Sequence, residues 1–166
     1  MMKPRVEFVA ACRTWRGALA ARTLARQAIA ASVAECGVAL RPGAELCVHL
    51  ADDALVRELN ARWRGVDEAT NVLSFPAAEP RQAGEARLLG DIILAFETMA
   101  REAAAEGKPL ADHYRHLVVH GFLHLLGFDH QVDAEARRME ALETRILARV
   151  GVADPRQACE LEDAAP

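Results

Sequence analysis

The chain has 166 residues, 52% of them apolar, with 20 basic and 24 acidic side chains and a formal net charge of −4. That length suits one domain able to bury roughly 70% of its unfolded surface, so neither disulfides nor a metal are needed merely to fold. No apolar stretch approaches the ~20 residues of a membrane span. The opening Met1-Met2-Lys3-Pro4-Arg5 lacks a signal-peptide pattern, so a cytoplasmic protein without a membrane partner is expected.

In chain order, Val6 to Val9 reads as a short strand and Thr14 to Glu35 as a long helix, with Leu19, Leu24, Ala28 and Val33 near one stripe and Gly37 as C-cap. Pro42-Gly43 marks a turn before a buried strand, Glu45 to Leu50. Asp52-Asp53 starts a helix that runs to about Trp63, followed by a polar loop from Gly65 to Thr70. Asn71 to Phe75 is a short extended piece stopped by Pro76, residues 77–87 have loop composition and are expected to be mobile, and Leu88 to Ala95 is a strand. Helices follow from Phe96 to Glu106, from Pro109 to Leu126, and from Ala134 to Val150, closed by Gly107, Gly127 and Gly151. About four strands and five helices, not strictly alternating, predict an α+β fold with helices on a small mixed sheet. The expected organisation is one domain over residues 1–151 and a flexible tail over 152–166.

Cys12, Cys36, Cys47 and Cys159 form no C-x-x-C pair and are read as buried reduced thiols. The charge is uneven: Lys3, Arg5, Arg13, Arg16, Arg22 and Arg26 face only Glu7 in the first thirty residues. This stretch is either a solvated face or a surface for phosphates.

The chemistry concentrates in His120-Gly121-Phe122-Leu123-His124-Leu125-Leu126-Gly127-Phe128-Asp129-His130. His120 and His124 lie one helical turn apart on one face, so both imidazoles can reach one ion. Gly127 can end the helix in the left-handed conformation, letting His130 approach from a loop. Three neutral imidazoles leave a position open for water, as catalytic zinc requires, and zinc lowers the pKa of that water toward ~7. One Zn²⁺ is the expected cofactor, although other divalent transition metals suit three imidazoles. The spacing matches the metzincin proteases, but Gly121 stands where they carry the glutamate that serves as general base, which argues against peptide hydrolysis. Asp129 either orients a ring or caps the turn. Asp91 is a candidate base or supporting residue for the site, or an acceptor for loop amides. Ser74 and Asn71 are candidates to line the cleft. His116, Phe75, Phe122, Phe128 and Met139 are read as packing residues, and His49 and His113 carry no readable role.

Four separated segments resemble the YbeY family of bacterial rRNA maturation factors, which are single-strand-specific endoribonucleases. They are His116 to His130; Asn60-x-x-Trp63-Arg64 with Thr70-Asn71-Val72-Leu73-Ser74-Phe75-Pro76; Leu89-Gly90-Asp91-Ile92; and Met139-Glu140-x-x-Glu143. Three positions depart from the usual family pattern: Phe128 for tyrosine, Trp63 for tyrosine, and Asn71 for aspartate. The resemblance implies an α+β fold, zinc on His120, His124 and His130, and an essential Arg64. It further implies RNA and the ribosome as partners, in maturation of the 16S rRNA 3′ end and in ribosome quality control. Arg64 and His120 are therefore the expected catalytic residues. Two other readings stay open: an assembly factor with a mainly structural zinc, with Asp129 as a conceivable fourth ligand, and a zinc hydrolase of another substrate class.

Overall fold

A computed structural model describes residues 2–79 and 82–157. Its elements are β1 (Arg5–Ala10), α1 (Ala21–Cys36), β2 (Glu45–Ala51), α2 (Asp53–Arg64), β3 (Val72–Pro76), β4 (Leu88–Ala95), α3 (Phe96–Ala105), α4 (Leu110–Leu125) and α5 (Asp133–Arg149). The fold is α+β, with a four-stranded mixed sheet in the order β1-β2-β4-β3. β1 and β4 both run parallel to β2, and β3 is antiparallel to β4. β3 lies at the edge, where Pro76 removes no ladder bond that a neighbour needs.

Strand alternation sorts the core into two parts. Leu46, Val48 and Leu50 of β2 join Ile92 and Leu94 of β4 against α1 and α4, with α5 packed outside them. On the opposite face Ala51, Leu73, Ile93 and Ala95 bury against Val56 of α2. Helix ends follow the sequence signals. Asp52 accepts from the Leu55 amide as N-cap of α2, and Gly37 and Gly65 close α1 and α2 in the left-handed conformation.

The helix expected from Thr14 to Glu35 is broken. Arg13–Trp15 forms a single 3₁₀ turn, Gly17 takes a positive φ, and α1 begins only at Ala21. The cause is tertiary. Trp15 is buried, donates its indole N–H to the Ala51 carbonyl at 2.8 Å, and packs edge-on to Phe96 and Tyr114. Those contacts outweigh local helix propensity.

Residues 77–87, expected to be a mobile loop, include Ala83, which is buried, and Gly84, whose carbonyl accepts from the Arg41 amide at 2.8 Å. The first part of the tail expected over 152–166 lies against the body. Val152 is buried, and Lys108 donates to the Pro155 carbonyl. Residues 158–166 of that stretch, with Cys159, lie outside the described residues. Cys12, Cys36 and Cys47 are free thiols, half-buried rather than enclosed. Arg22 and Arg26 of the basic stretch lie over the Phe8 ring, 5.8 and 5.0 Å from its centroid. Among the described residues no helix is long and apolar enough to cross a membrane.

Candidate metal centre

The site is built at the C-terminal end of α4. Gly127 adopts φ 88°. Its amide donates to the His124 carbonyl at 3.0 Å and the Phe128 amide to the Leu123 carbonyl at 3.1 Å, the bond pair of a Schellman motif. This turn carries residues 128–130 back over the helix end. The ring of His130 comes to rest 5.0 Å from that of His124 and 5.7 Å from that of His120, centroid to centroid. One donor atom from each of the three histidines lies within 4.8 Å of the others. Zn–N bonds of about 2.0–2.1 Å place tetrahedral nitrogens roughly 3.3 Å apart, and His120 Nε2 and His124 Nε2 are 3.1 Å apart. The donor set therefore fits a divalent transition ion.

The protonation chemistry fits as well. His120 Nδ1 is 2.6 Å from Glu143 Oε1, a carboxylate that can only accept when ionised, so Nδ1 carries the proton and Nε2 keeps its lone pair for an ion. Glu143 is 3% exposed on α5. Burial alone would raise its carboxyl, but hydrogen bonds from His116 and His120 overcome that and hold it at about 2. Arg156 adds a further bond at 2.9 Å. Burial and the neighbouring His120 and His130 push His124 down to about 4, against a backbone hydrogen bond to Phe128, so its ring is neutral at pH 7.

The three histidines open into a cleft of about 400 Å³ whose walls include Arg64, Ser74, Asp129 and Phe128. Arg64 is exposed at the last position of α2. The loop after it is pinned by Asn60 Nδ2 donating to the Glu68 carbonyl at 2.9 Å and by a bidentate Arg57–Asp67 pair at 2.8 and 3.0 Å. Ser74 Oγ donates to the Gly121 carbonyl at 3.2 Å, tying β3 to α4 below the ligands. Asp129 Oδ1 accepts from the His130 amide at 2.7 Å, which is the turn-capping role, and its carboxylate is not among the donors that converge. A second cavity of about 570 Å³ shares His120 and Val72 with the cleft and is lined by Asn71, His116 and Arg156. Asn71 there bonds to Glu102, which also holds buried His113.

Gly121 is explained by space. A Cβ there would meet Ile92 Cγ2 at 2.9 Å and Ser74 Oγ at 3.1 Å. Position 121 packs against the sheet, so a side chain there, a glutamate included, would have to displace Ile92 or Ser74.

Asp91 does not join the site. Ser74 and Ile92 are cross-strand partners on the face under α4, so Asp91, one residue earlier, points to the opposite face. There its Oδ1 lies 2.8 Å from His49 Nε2. Phe122 and Met139 are buried in the core, as their packing reading requires. Phe128 packs against the core and also forms a wall of the cleft, under Arg138. The residue that sequence reasoning passed over is Glu143, quoted only as part of a resembling run. Its signal was its place among Met139, Leu142, Ile146 and Leu147 on the buried stripe of α5. An acid on an apolar helix face needs a partner.

A family profile described as "Endoribonuclease YbeY" matches residues 13–151. The chain is 52% identical over 160 residues to an "Endoribonuclease YbeY" from Bradyrhizobium sp. strain BTAi1, covering 92% of each chain. It is 45% identical over 156 residues to one from Methylocella silvestris, covering 94% of this chain and 88% of that one. The solution structure of TM1509 from Thermotoga maritima shares the fold, with a TM-score of 0.54 at 20% identity over 98% of this chain and 97% of that one. The chain belongs to the YbeY endoribonuclease family.

Proposed function

We propose that this chain is a metal-dependent endoribonuclease that cuts single-stranded RNA in the cytoplasm. We further propose that it acts in rRNA processing, at the 3′ end of 16S rRNA, and in ribosome quality control. One observation carries the chemistry: Arg64 and three convergent imidazoles line a single cleft. Family membership supports RNA as substrate, since the relatives are named endoribonucleases.

His120, His124 and His130 would hold the ion, zinc by preference. When bound, the ion would lower the pKa of a water and polarise a phosphodiester oxygen. The chain's own residues do the rest. Glu143 fixes the proton of His120 on Nδ1 and so aims Nε2 into the cleft. Arg64 grips the phosphate, its planar fork matching two oxygens and offsetting the charge that grows on them. Ser74 holds β3 against α4, so the wall bearing Val72 stays fixed relative to the histidines. Among the described residues three protein donors converge and Asp129 binds the His130 amide, so the donor set favours an open, catalytic position over a closed structural one.

The test incubates the purified protein, metal-loaded and metal-stripped, with single-stranded and structured RNA, beside His124→Ala and Arg64→Ala. Cleavage should require metal, prefer single strands and fall in both variants. Arg64→Ala should cost about 100- to 1,000-fold, the usual loss for a donor to developing charge. Cleavage that survives both substitutions would belong to a contaminant and would sink the proposal. A substrate with deoxyribose 5′ to the cut separates attack by water from attack by the 2′-hydroxyl.

A further inference from the structure

A second group of metal-binding side chains lies on the other side of the sheet. Cys47 and His49 are two apart on β2 and therefore share a face. The parallel register sets Asp91 of β4 directly beside Cys47, about 4.8 Å away across the ladder. One donor atom from each of the three lies within 4.8 Å of the other two. None of them lines the histidine cleft, because Ile92 and Ser74 occupy the face that α4 covers.

We propose that Cys47, His49 and Asp91 form a second metal site, for a divalent ion of the zinc class, on the sheet face opposite the three-histidine cleft. The chemistry suits such an ion. A thiolate, an imidazole and a carboxylate are three of the usual zinc donors, and the sulfur disfavours magnesium and calcium. A thiolate with a carboxylate also balances the charge of the ion. His49 Nε2 and Asp91 Oδ1 already point to one place at 2.8 Å. Opening them by about half an ångström reaches the roughly 3.3 Å edge of a zinc tetrahedron.

Without an ion the Cys47 thiol is held protonated. Burial raises its pKa, and the charges of Asp91 and Glu7 raise it further. A cation reverses both charge effects. Binding would expel the thiol proton and leave His49 as the Nδ1–H tautomer. Glu7 stands beside Cys47 in the β1 register, with its carboxylate paired to Arg5. His49 and Asp91 keep 27% and 47% of their side-chain surface, so an ion can enter from solvent. The ion would clip the two central strands together.

The experiment titrates Co²⁺ into the full-length, reduced, metal-stripped protein and follows its absorption spectrum. Among the described residues the histidine site has no sulfur, so a sulfur-to-cobalt charge-transfer band in the near ultraviolet reports cysteine ligation, which the Cys47 variant assigns. The band should appear, with two cobalt ions bound per chain, and should persist in His124→Ala, where one remains. It should vanish in Cys47→Ser. His49→Gln and Asp91→Asn, checked for folding by circular dichroism, should weaken the transition by at least about tenfold. Saturation with no charge-transfer band overturns the proposal. So does a band that survives Cys47→Ser, which would place it on Cys12, Cys36 or Cys159, or one whose midpoint ignores both His49→Gln and Asp91→Asn.

Discussion

The two donor clusters differ in how the chain assembles them. The three histidines come from eleven consecutive residues, joined by one helical turn and one glycine cap, and a buried carboxylate behind them sets a tautomer. The sheet-face cluster joins residues 42 apart through strand register, and its histidine bonds directly to the acid beside it. The first is pre-organised by a residue that never needs to touch the ion. The second must break its own hydrogen bond to open. The cleft should therefore bind metal more tightly than the sheet face, and the variants below either widen or close that gap.

Removing a cleft ligand should have the largest effect. Loss of a partner behind a ligand costs about 10- to 100-fold in metal affinity, so loss of the ligand itself in His124→Ala should exceed ~100-fold, with RNA cleavage falling in step. Competition against a metal-binding dye measures the affinity. A cleft that holds its ion equally well without His124 would break the comparison.

Glu143→Gln tests the pre-organisation itself. The amide keeps the shape of the side chain but no longer enforces a proton on His120 Nδ1. Metal affinity of the cleft should drop about 10- to 100-fold, moving it toward that of the sheet face. Unchanged affinity would mean the carboxylate only serves packing.

The contrast also explains what was legible in the sequence. The histidine motif, the glycine caps and the four strands are local signals, and each stands where its residues predict. Asp91 was misplaced because β4 reads Leu-Leu-Gly-Asp-Ile-Ile-Leu-Ala, apolar toward both faces. A strand buried on both sides carries no alternation from which to read parity. Trp15 broke a helix through a bond to Ala51, 36 residues away, which no local propensity contains. Glu143 could have been found, since a lone acid within the buried stripe of α5 signals a partner without naming it.

Acid should weaken the metal-stripped cleft in two separable windows. His124 is held near 4 in the folded state, below the ordinary histidine value of 6.5. Between those values the unfolded chain takes up a proton that the folded ring refuses, so stability falls as pH drops from 6.5 to 4. Glu143, held at about 2 against an ordinary 4.5, contributes stability above 4.5 that is lost as pH falls toward 2. Urea midpoints across pH should lose the upper window in His124→Phe and the lower one in Glu143→Gln. Profiles that superpose on the parent would remove the electrostatic account.

The smallest expected effect concerns the floor of the cleft. Gly121→Ala gains about 1 kcal/mol of intrinsic helix propensity. Against this, the new methyl falls 2.9 Å from Ile92 Cγ2, on a fully buried β-branched side chain that has no free rotamer to retreat into. Overpacking of that kind costs about 1–3 kcal/mol, so the variant should be destabilised by about 1 kcal/mol, read as a lower urea midpoint at unchanged slope. The methyl also presses on Ser74 Oγ at 3.1 Å, the group that ties β3 to α4. Cleavage should therefore decline more than stability does, and a more stable, fully active variant would show that the helix does not depend on this close approach.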